Sequence, residues 1–234
     1  MPEILYEDEY IIAVNKPAGM LAQRDSTGRV SLQEAVTDYL KEKCGEDGDV
    51  YCVALNRLDR PVSGIMLFAK TPVAAGRLSE DIKERRIRKF YCALVSPPPG
   101  KTADNQWINL NQYIVRKRDR GYIAYENAPG AEAVSLRYRI MDTSGFSALI
   151  LVELITGKRH QIRVQLSSLG TPIIGDKFYG SKEIFEDGNI SLHAHYLSFR
   201  HPMTHQQITV TAPLPLHMKE KVLVSPEFTD YTGE

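Results

Sequence analysis

The sequence predicts a globular protein that combines α-helices with β-strands. Runs rich in β-branched and aromatic residues recur between residues 87 and 154, whereas an apolar stripe at helical spacing follows a capping box near residue 31. The 234 residues are 43% hydrophobic and 25% charged, which is ordinary for a globular protein with a proper core. A chain of this length forms one large domain or two small ones.

The first predicted elements are two strands and a helix. Residues 4–6 and 10–14 are expected to form a hairpin around an acidic turn, and the second strand ends in the Pro/Gly loop of residues 15–19. Ser31 and Glu34 have the spacing of a capping box, which predicts the start of a helix. The apolar residues that follow at helical spacing indicate core packing: Leu32, Ala35, Val36, Tyr39 and Leu40.

A loop between two short predicted strands, residues 51–55 and 65–68, has the most distinctive sequence of the chain. Residues 57–64 read Arg-Leu-Asp-Arg-Pro-Val-Ser-Gly, so that Asp59 lies between two arginines in a Pro/Gly-rich loop. Loops at strand ends often carry catalytic groups. Taken alone, an aspartate in a turn is more often a local hydrogen-bond acceptor.

A helix and a strand are predicted after this loop. The Thr-Pro pair at residues 71–72 is a helix start signal, and the helix is expected to run to about Glu84. Residues 87–95 are rich in β-formers and predict a strand. Alternation places four residues on one face of that strand: Lys89, Tyr91, Ala93 and Val95.

The second half of the chain is predicted to be rich in strands. Three are expected, at residues 107–115, 131–140 and 146–154. A basic loop, residues 116–120, is expected between the first two. A helix at about residues 159–169 should end at Gly170. A last strand and a short helix within residues 207–224 precede a polar tail at residues 225–234, which is expected to be disordered.

The net charge is zero, with 29 basic and 29 acidic residues. The total does not indicate a nucleic-acid binder, since such proteins are often basic overall. Basic residues nevertheless cluster at residues 83–89, 116–120 and 158–160, whereas acidic residues cluster elsewhere. A basic face is compatible with RNA binding, although a single charged run is more often solvated surface.

Several features predict a cytoplasmic protein. No apolar run is long enough to span a membrane, and the acidic amino end lacks the pattern of a signal peptide. Cys44, Cys52 and Cys92 form no Cys-x-x-Cys pair and are odd in number. They indicate free or buried thiols in a reducing compartment.

Four histidines near the carboxyl end raise the question of a metal site: His193, His195, His201 and His205. A His-x-His pair is able to ligate zinc. No carboxylate or cysteine stands at a persuasive spacing, and a strand would place His193 and His195 on one face by simple alternation. We therefore predict no metal site, and structural or RNA-facing histidines instead.

Four segments resemble signatures of the RluA-type pseudouridine synthases. The loop around Asp59 is similar to their His-Arg-Leu-Asp-x-x-Thr/Ser-Gly pattern, with Asn56 in place of the histidine. Residues 15–19 resemble an Asn-Lys-Pro-x-Gly signature, and residues 89–95 resemble a Lys-x-Tyr-x-Ala-x-Val signature.

The longest match spans residues 156–180. It resembles the family pattern Thr-Gly-Arg-x-His-Gln-Ile-Arg-x-His followed by Gly-x-Pro-Ile-x-Gly-Asp-x-x-Tyr-Gly, with Lys158 replacing an arginine and Gln165 a histidine. The resemblance covers nearly the whole chain. It implies one catalytic domain at residues 1–224, made of two lobes joined near the Pro/Gly segment at residues 97–100. No room is left in front for the small RNA-binding S4 domain that many relatives carry.

The resemblance implies an α+β fold of the pseudouridine synthase type. The expected sheet is extended, mixed and mainly antiparallel, with flanking helices and a central RNA-binding cleft. The expected activity is isomerisation of specific uridines in structured RNA, either rRNA or tRNA. The reaction moves the sugar bond from N1 to C5 of uracil without redox change, so no cofactor is expected. The partner would be structured RNA, with no membrane involved, and the protein a monomer.

Two alternatives remain open at this point. The first is a non-catalytic RNA-binding or RNA-folding protein that kept the cleft and lost the chemistry. The second is a metal-dependent hydrolase that uses the histidines.

The resemblance also implies the catalytic residues. Asp59 corresponds to the essential aspartate, Arg163 to the arginine that pairs with it, and Tyr91 to the tyrosine that lies against the target base. The chemistry requires an ionised carboxylate, and a nearby cation favours that form. We therefore predict that Asp59 and Arg163 lie within hydrogen-bonding distance and that the Tyr91 ring lines the same cleft.

Further residues of these motifs are expected to bind the substrate. Arg57 is predicted to fill the space left when the target base flips out of the RNA, with an ordinary phosphate contact as the alternative. The remaining substrate-binding residues lie beside the catalytic ones: Arg60, Lys89, His160, Gln161 and Ile162.

Overall fold

The computed structural model describes residues 2–45, 50–98 and 106–220. Within these ranges eleven strands form one sheet, whose main path has the order β1-β2-β4-β10-β5-β9-β8-β6-β7; β3 pairs with β4, and β11 with β10. The strands are β1 (Glu3–Glu7), β2 (Ile11–Lys16), β3 (Val53–Ala54), β4 (Ser63–Ala69), β5 (Arg88–Val95), β6 (Ile108–Lys117), β7 (Arg120–Ala124), β8 (Glu132–Ser144), β9 (Ser147–Leu154), β10 (Leu192–Arg200) and β11 (Gln207–Thr211). The helices are α1 (Leu32–Cys44), α2 (Pro72–Lys83), α3 (Gln161–Ser168), α4 (Leu216–Glu220) and a 3₁₀ turn at Lys177–Tyr179.

The sheet is mixed and mainly antiparallel, as expected. Its parallel pair in the described residues is β4 with β10, where Ser63 and Gly64 face His193 and Ala194. Strand β4 is buried on both sides. Met66 and Phe68 pack in the cluster that contains α1, whereas Ile65 and Leu67 pack in the cluster that contains α2. The two helices therefore cover opposite faces of the strand that follows the Asp59 loop.

Helix α1 begins as the capping box predicts. The Ser31 side chain accepts from the Glu34 amide, and the Glu34 carboxylate accepts from the Ser31 amide at 2.9 Å. Gly45 ends the helix with φ 66°, a left-handed conformation that glycine adopts without strain. Thr71 caps α2 with its side-chain oxygen, which accepts from the Ala74 amide, and Pro72 follows at the first helical position.

Gly64 allows the backbones of β4 and β10 to approach closely. Its φ is 113°, and a Cβ atom added there would lie 2.3 Å from the carbonyl oxygen of Ala194. Neither the dihedral angle nor the space tolerates a side chain. The glycine after Ser63 therefore fixes where the Asp59 loop joins the sheet.

Two predicted boundaries were wrong. The basic segment at residues 116–120 is not a free loop, because Arg118 and Asp119 form a two-residue turn from β6 into β7, a strand that was not predicted. Arg118 has φ 55°, the left-handed conformation that such tight hairpin turns require. Helix α3 begins at Gln161 rather than residue 159, because His160 also has a left-handed φ of 60°.

Parts of the predicted organisation lie outside the described residues. These are the end of the Pro/Gly segment, residues 99–100, and the polar tail at residues 225–234. The predicted last strand and helix are present as β11 and α4 up to Glu220. Within the described ranges, no helix combines the length and the hydropathy required to cross a membrane.

Candidate active site

The centre of the site is one arginine between two carboxylates. Arg163 Nη1 donates to Asp59 Oδ2 at 3.0 Å, so the predicted contact between these residues is confirmed. Arg163 also donates to both oxygens of Asp176, from Nε at 2.7 Å and from Nη2 at 2.9 Å. The forked contact of the guanidinium therefore goes to Asp176, which is 1% exposed, whereas the Asp59 side chain is 24% exposed. Asp176 was matched only as part of a motif, with no role predicted.

The Asp59 loop is held from below by Lys16. This fully buried lysine donates from Nζ to the carbonyl oxygens of Pro17, Met20 and Arg60 at 2.9, 2.8 and 3.2 Å. The Gly19 amide also donates to the Arg60 carbonyl at 2.8 Å. Burial lowers the pKa of Lys16 to about 8, against the opposing effect of the Asp59 charge. The Asn-Lys-Pro-x-Gly segment thus anchors the loop that presents Asp59.

Asn56, which replaces the family histidine, ties the same loop to β4. Its amide nitrogen donates to the Ile65 carbonyl at 3.0 Å, and its oxygen accepts from the Leu67 amide at 2.8 Å. The side chain therefore acts as one more rung of the sheet. Asn56 at this position therefore supports the loop through hydrogen bonds to β4.

Arg163 is held on α3 by a buried network around Gln161. The Gln161 oxygen accepts from the Thr156 hydroxyl and the Lys158 amide, and its nitrogen donates to the Ser135 carbonyl and to Gln165. Gln161 is 2% exposed. Its hydrogen-bonding groups are satisfied inside the protein, which fixes the start of α3 against β8.

His160 is the second group beside Asp59, with Nε2 at 3.4 Å from Oδ2. Its Nδ1 lies 3.0 Å from the Tyr179 hydroxyl, which itself accepts from the Gly121 amide at 3.0 Å. Burial lowers the pKa of His160, so the ring is neutral near pH 7. The other carboxylate oxygen of Asp59 has no hydrogen-bond partner among the described residues.

Tyr91 lies on β5 with its ring in the core beneath the site. It shares a face with Ala93 and Val95, as predicted, because all three belong to the same buried cluster. Burial raises the pKa of Tyr91, and the negative charge of Asp59 adds to this effect. Tyr91 is therefore a phenol, not a phenolate, at physiological pH, and its hydroxyl is close enough to be affected by Asp59.

Comparison with known proteins decides the family. A family model described as RNA pseudouridylate synthase matches residues 10–168. The chain belongs to this family. The synthase is 31% identical over 214 residues to the dual-specificity RNA pseudouridine synthase RluA of Pasteurella multocida, covering 90% of this chain and 92% of the relative. It is 33% identical over 230 residues to tRNA pseudouridine synthase C of the same organism, covering 90% of each chain.

A solved structure agrees on the fold. Human RNA pseudouridylate synthase domain containing 4 superposes with a TM-score of 0.76 at 22% identity, over 94% of this chain and 91% of that chain. The predicted α+β pseudouridine synthase fold and the resemblance to RluA-type enzymes are confirmed. The protein is an RNA pseudouridine synthase, which makes it an isomerase.

The other predicted substrate-binding residues of the synthase differ from one another in exposure and in contacts. Arg57 and Arg60 are exposed, and neither forms an ion pair with Asp59 in the described part of the chain. The cation that contacts Asp59 therefore comes from α3 and not from its neighbours in sequence. Lys89 is half-buried, with its amine near Gly157, and burial lowers its pKa. Ile162, like Gln161, is buried.

The basic clusters of the synthase are partly neutralised. Arg86 pairs with Asp81 at 2.7 Å, and Arg88 pairs with Glu153 at 2.9 Å. By contrast, three exposed cations are adjacent where β6 runs into its turn with β7: Arg116 and Lys117 at the end of β6, and Arg118 in the turn. These three residues are called the basic turn below.

The histidines near the carboxyl end have structural contacts in the synthase. His193 Nδ1 lies 2.8 Å from the Ser63 hydroxyl, His195 Nδ1 lies 2.7 Å from the Ala212 carbonyl, and His201 Nε2 lies 2.8 Å from Asp8. His193 and His195 are buried on β10, with ring centroids 6.0 Å apart. Among the described residues, no group of three or more His, Cys, Asp or Glu side chains is placed to hold a metal.

Proposed function

We propose that this enzyme converts specific uridines of structured rRNA or tRNA into pseudouridine, with Asp59 as the catalytic carboxylate. The observation that carries this proposal is the contact of Asp59 with Arg163, because it places a cation against a carboxylate that remains partly open. The guanidinium carries the opposite charge to the carboxylate form that the reaction needs. The oxygen of Asp59 without a hydrogen-bond partner among the described residues is the one we assign to the substrate.

The reaction is an internal rearrangement. The bond from N1 of uracil to C1′ of the ribose breaks, the base turns, C5 bonds to C1′, and the proton on C5 leaves while N1 gains one. Electrons and atoms balance without a cofactor. Asp59 serves either as nucleophile or as base, and both roles need the carboxylate free of a proton. In our proposal the Tyr91 ring stacks on the uracil, and its O–H form makes it a poor base in the resting enzyme.

Structured RNA hides its bases, so we propose that the target uridine flips into the site. Arg57, exposed two residues before Asp59, would occupy the vacated space. Arg60 and Lys89 would contact phosphates, and the neutral ring of His160 would orient Asp59 from the side. Gln161 and Ile162 would support this site from beneath rather than touch the RNA, since both are buried.

The same proposal covers the compartment, the oligomeric state and the domain organisation of the enzyme. We place it in the cytoplasm, as a monomer with one catalytic domain at residues 1–224. All three cysteines are free thiols, which suits a reducing compartment. Relatives named for tRNA and for the ribosomal large subunit support both RNA classes as substrates.

The test is turnover by the purified protein. Ribosomal and transfer RNA containing 5-tritiated uridine is prepared from cells that lack this gene, and tritium release is followed with added enzyme. We expect release at specific positions, which pseudouridine mapping with and without the gene then identifies. RNA binding without release would favour the non-catalytic alternative and contradict the proposal.

A further inference from the structure

A cavity of about 690 Å³ opens next to the catalytic centre. Its volume lies within the roughly 300–1,000 Å³ of small-ligand sites. Its lining includes Pro61, two residues after Asp59, and Arg163, together with Phe178 and Ile184. Neither Asp59 nor Tyr91 lines it. The cavity is thus adjacent to the proposed uracil site and separate from it.

The Phe178 ring is exposed at the rim of this cavity. It is 44% exposed, although a ring of this size normally prefers burial. Its position is fixed by edge contacts, with ring centroids 5.1 Å from Tyr179 and 5.9 Å from His160. The ring is therefore held in place with apolar surface left open to a flat ligand.

Two cations border the same opening. Arg120 lies over the rings of Phe178 and Tyr179, at 5.2 and 5.3 Å from their centroids, and Lys177 is exposed beside them. Neither cation forms an ion pair with a carboxylate within the described ranges. Asp176 also lines the cavity, but its charge is balanced by Arg163. The opening thus combines an aromatic ring with positive charge, the combination that single-stranded nucleic acids bind.

We infer that this cavity binds the nucleotide next to the target uridine in the substrate strand. Its base stacks on Phe178, and its phosphate contacts Arg120 and Lys177. The inference rests on the proposed function and adds a second anchoring point, which holds the strand beside the flipped base. Because every base has a flat face, this site supplies affinity and positioning rather than strict sequence preference.

The test compares leucine and tryptophan at position 178. Phe178→Leu keeps an apolar side chain but removes the ring, whereas Phe178→Trp keeps a ring for stacking. Phe146→Leu is the matched control, since Phe146 is 87% exposed in the turn between β8 and β9. Dissociation constants are measured by filter binding with an unmodified RNA transcript that the parent enzyme modifies. We expect Phe178→Leu to bind roughly 5- to 100-fold more weakly, and the other two variants to bind like the parent.

A second readout separates stacking from a structural role. The Asp59→Asn variant is cross-linked by ultraviolet light to 4-thiouridine RNA, and the nucleotide joined to residue 178 is identified. We expect the neighbour of the target. A cross-link to the target itself, or unchanged affinity in Phe178→Leu, would overturn the inference while leaving the proposed function intact. A lower turnover number for Phe178→Leu with unchanged affinity would also overturn it. If the parent enzyme forms no pseudouridine, that result contradicts both the proposed function and this inference.

Discussion

Arg163 and Asp176 form a two-pronged contact in which Nε and Nη2 each bind one carboxylate oxygen, at 2.7 and 2.9 Å. Both residues are at least 94% buried, and this pairing leaves Nη1 as the nitrogen that reaches Asp59 at 3.0 Å. A guanidinium held at two points cannot rotate. Asp176 therefore sets the direction from which the cation approaches the catalytic carboxylate.

The first prediction tests this arrangement. Asp176→Asn should lower turnover on the order of 100-fold, because the guanidinium is no longer held at both points and a small misplacement is costly in catalysis. Arg163→Lys should also lose rate, since one ammonium cannot serve both carboxylates, and Arg163→Leu should lose more. Single-turnover tritium release is the measurement, with the exposed Asp38→Asn as control. Parent-like rates in Asp176→Asn would contradict the role given to Asp176.

The same variants differ in stability. Arg163→Leu leaves the buried Asp176 carboxylate without its cation, which should cost about 3–5 kcal/mol of unfolding free energy. Asp176→Asn keeps an acceptor oxygen and removes the charge, so it should cost less. Urea unfolding at pH 7 measures both, and it shows which activity losses come from misfolding.

The second prediction concerns Gly64. Gly64→Ala should strongly destabilise the protein, because the new Cβ would lie 2.3 Å from the Ala194 carbonyl oxygen at a φ of 113°. Gly76→Ala is the matched control, since Gly76 lies in α2 with no atom within 4 Å of the added Cβ. That change should stabilise the helix by about 0.5–1 kcal/mol. Equal melting temperatures for the two variants would show that β4 and β10 are not in such close contact.

The third prediction is a pH dependence of stability that arises from His193. Burial lowers the pKa of His193 to about 3, and the positive charges of neighbouring histidines add to this. An unfolded histidine takes up its proton near pH 6.5. Between these two values the unfolded state binds more protons, so the unfolding free energy falls as the pH falls, by up to about 1.4 kcal/mol per pH unit for this group.

Replacing His193 should flatten that dependence. His193→Gln removes one side chain that takes up a proton when the protein unfolds. The unfolding free energy of this variant should therefore change less than the parent's between pH 7 and pH 5. His205→Gln, at an exposed position, should keep the parent's slope. His195, whose ring centroid lies 6.0 Å away and whose pKa burial also lowers, accounts for part of the remaining slope. A parent-like slope in His193→Gln would mean that the histidine is not neutral in the folded state.

The fourth prediction concerns the basic turn. Reversal of all three charges, as Arg116→Glu, Lys117→Glu and Arg118→Glu together, should weaken RNA binding. It should also reduce the slope of log Kd against log salt, by roughly 0.7–0.9 for each phosphate that the protein no longer neutralises. Arg86→Glu is the comparison, because Arg86 is already paired with Asp81 and should contribute less. Equal slopes for the triple variant and the parent would make the turn ordinary solvated surface.

The sequence predicted local structure well where residues close together in sequence determine it. The capping box placed α1, and alternation placed Tyr91 on the correct face of β5. Strand β7 escaped prediction because its turn, Arg118 and Asp119, lacks the Asn-Gly pair that normally marks a two-residue hairpin. The left-handed φ of His160, which shortens α3, has no sequence signal either.

The long-range contacts of the site depended on resemblance. Asp59 and Arg163 are 104 residues apart, and no periodicity links them. The two-point contact between Arg163 and Asp176 was missed because a motif match shows which residues recur. It does not show which of two carboxylates accepts two hydrogen bonds from the arginine. Lys16 was missed for a similar reason, since its partners are backbone carbonyls.

The central claim is that Asp59 performs the chemistry. Asp59→Asn preserves the size of the side chain and removes the charge, so the protein should fold, bind RNA with nearly the parent's affinity and release no tritium from 5-tritiated uridine. Asp38→Asn, an exposed change on α1, should release tritium at the parent's rate. Appreciable turnover by Asp59→Asn, in RNA that the parent modifies at the same position, would contradict the account.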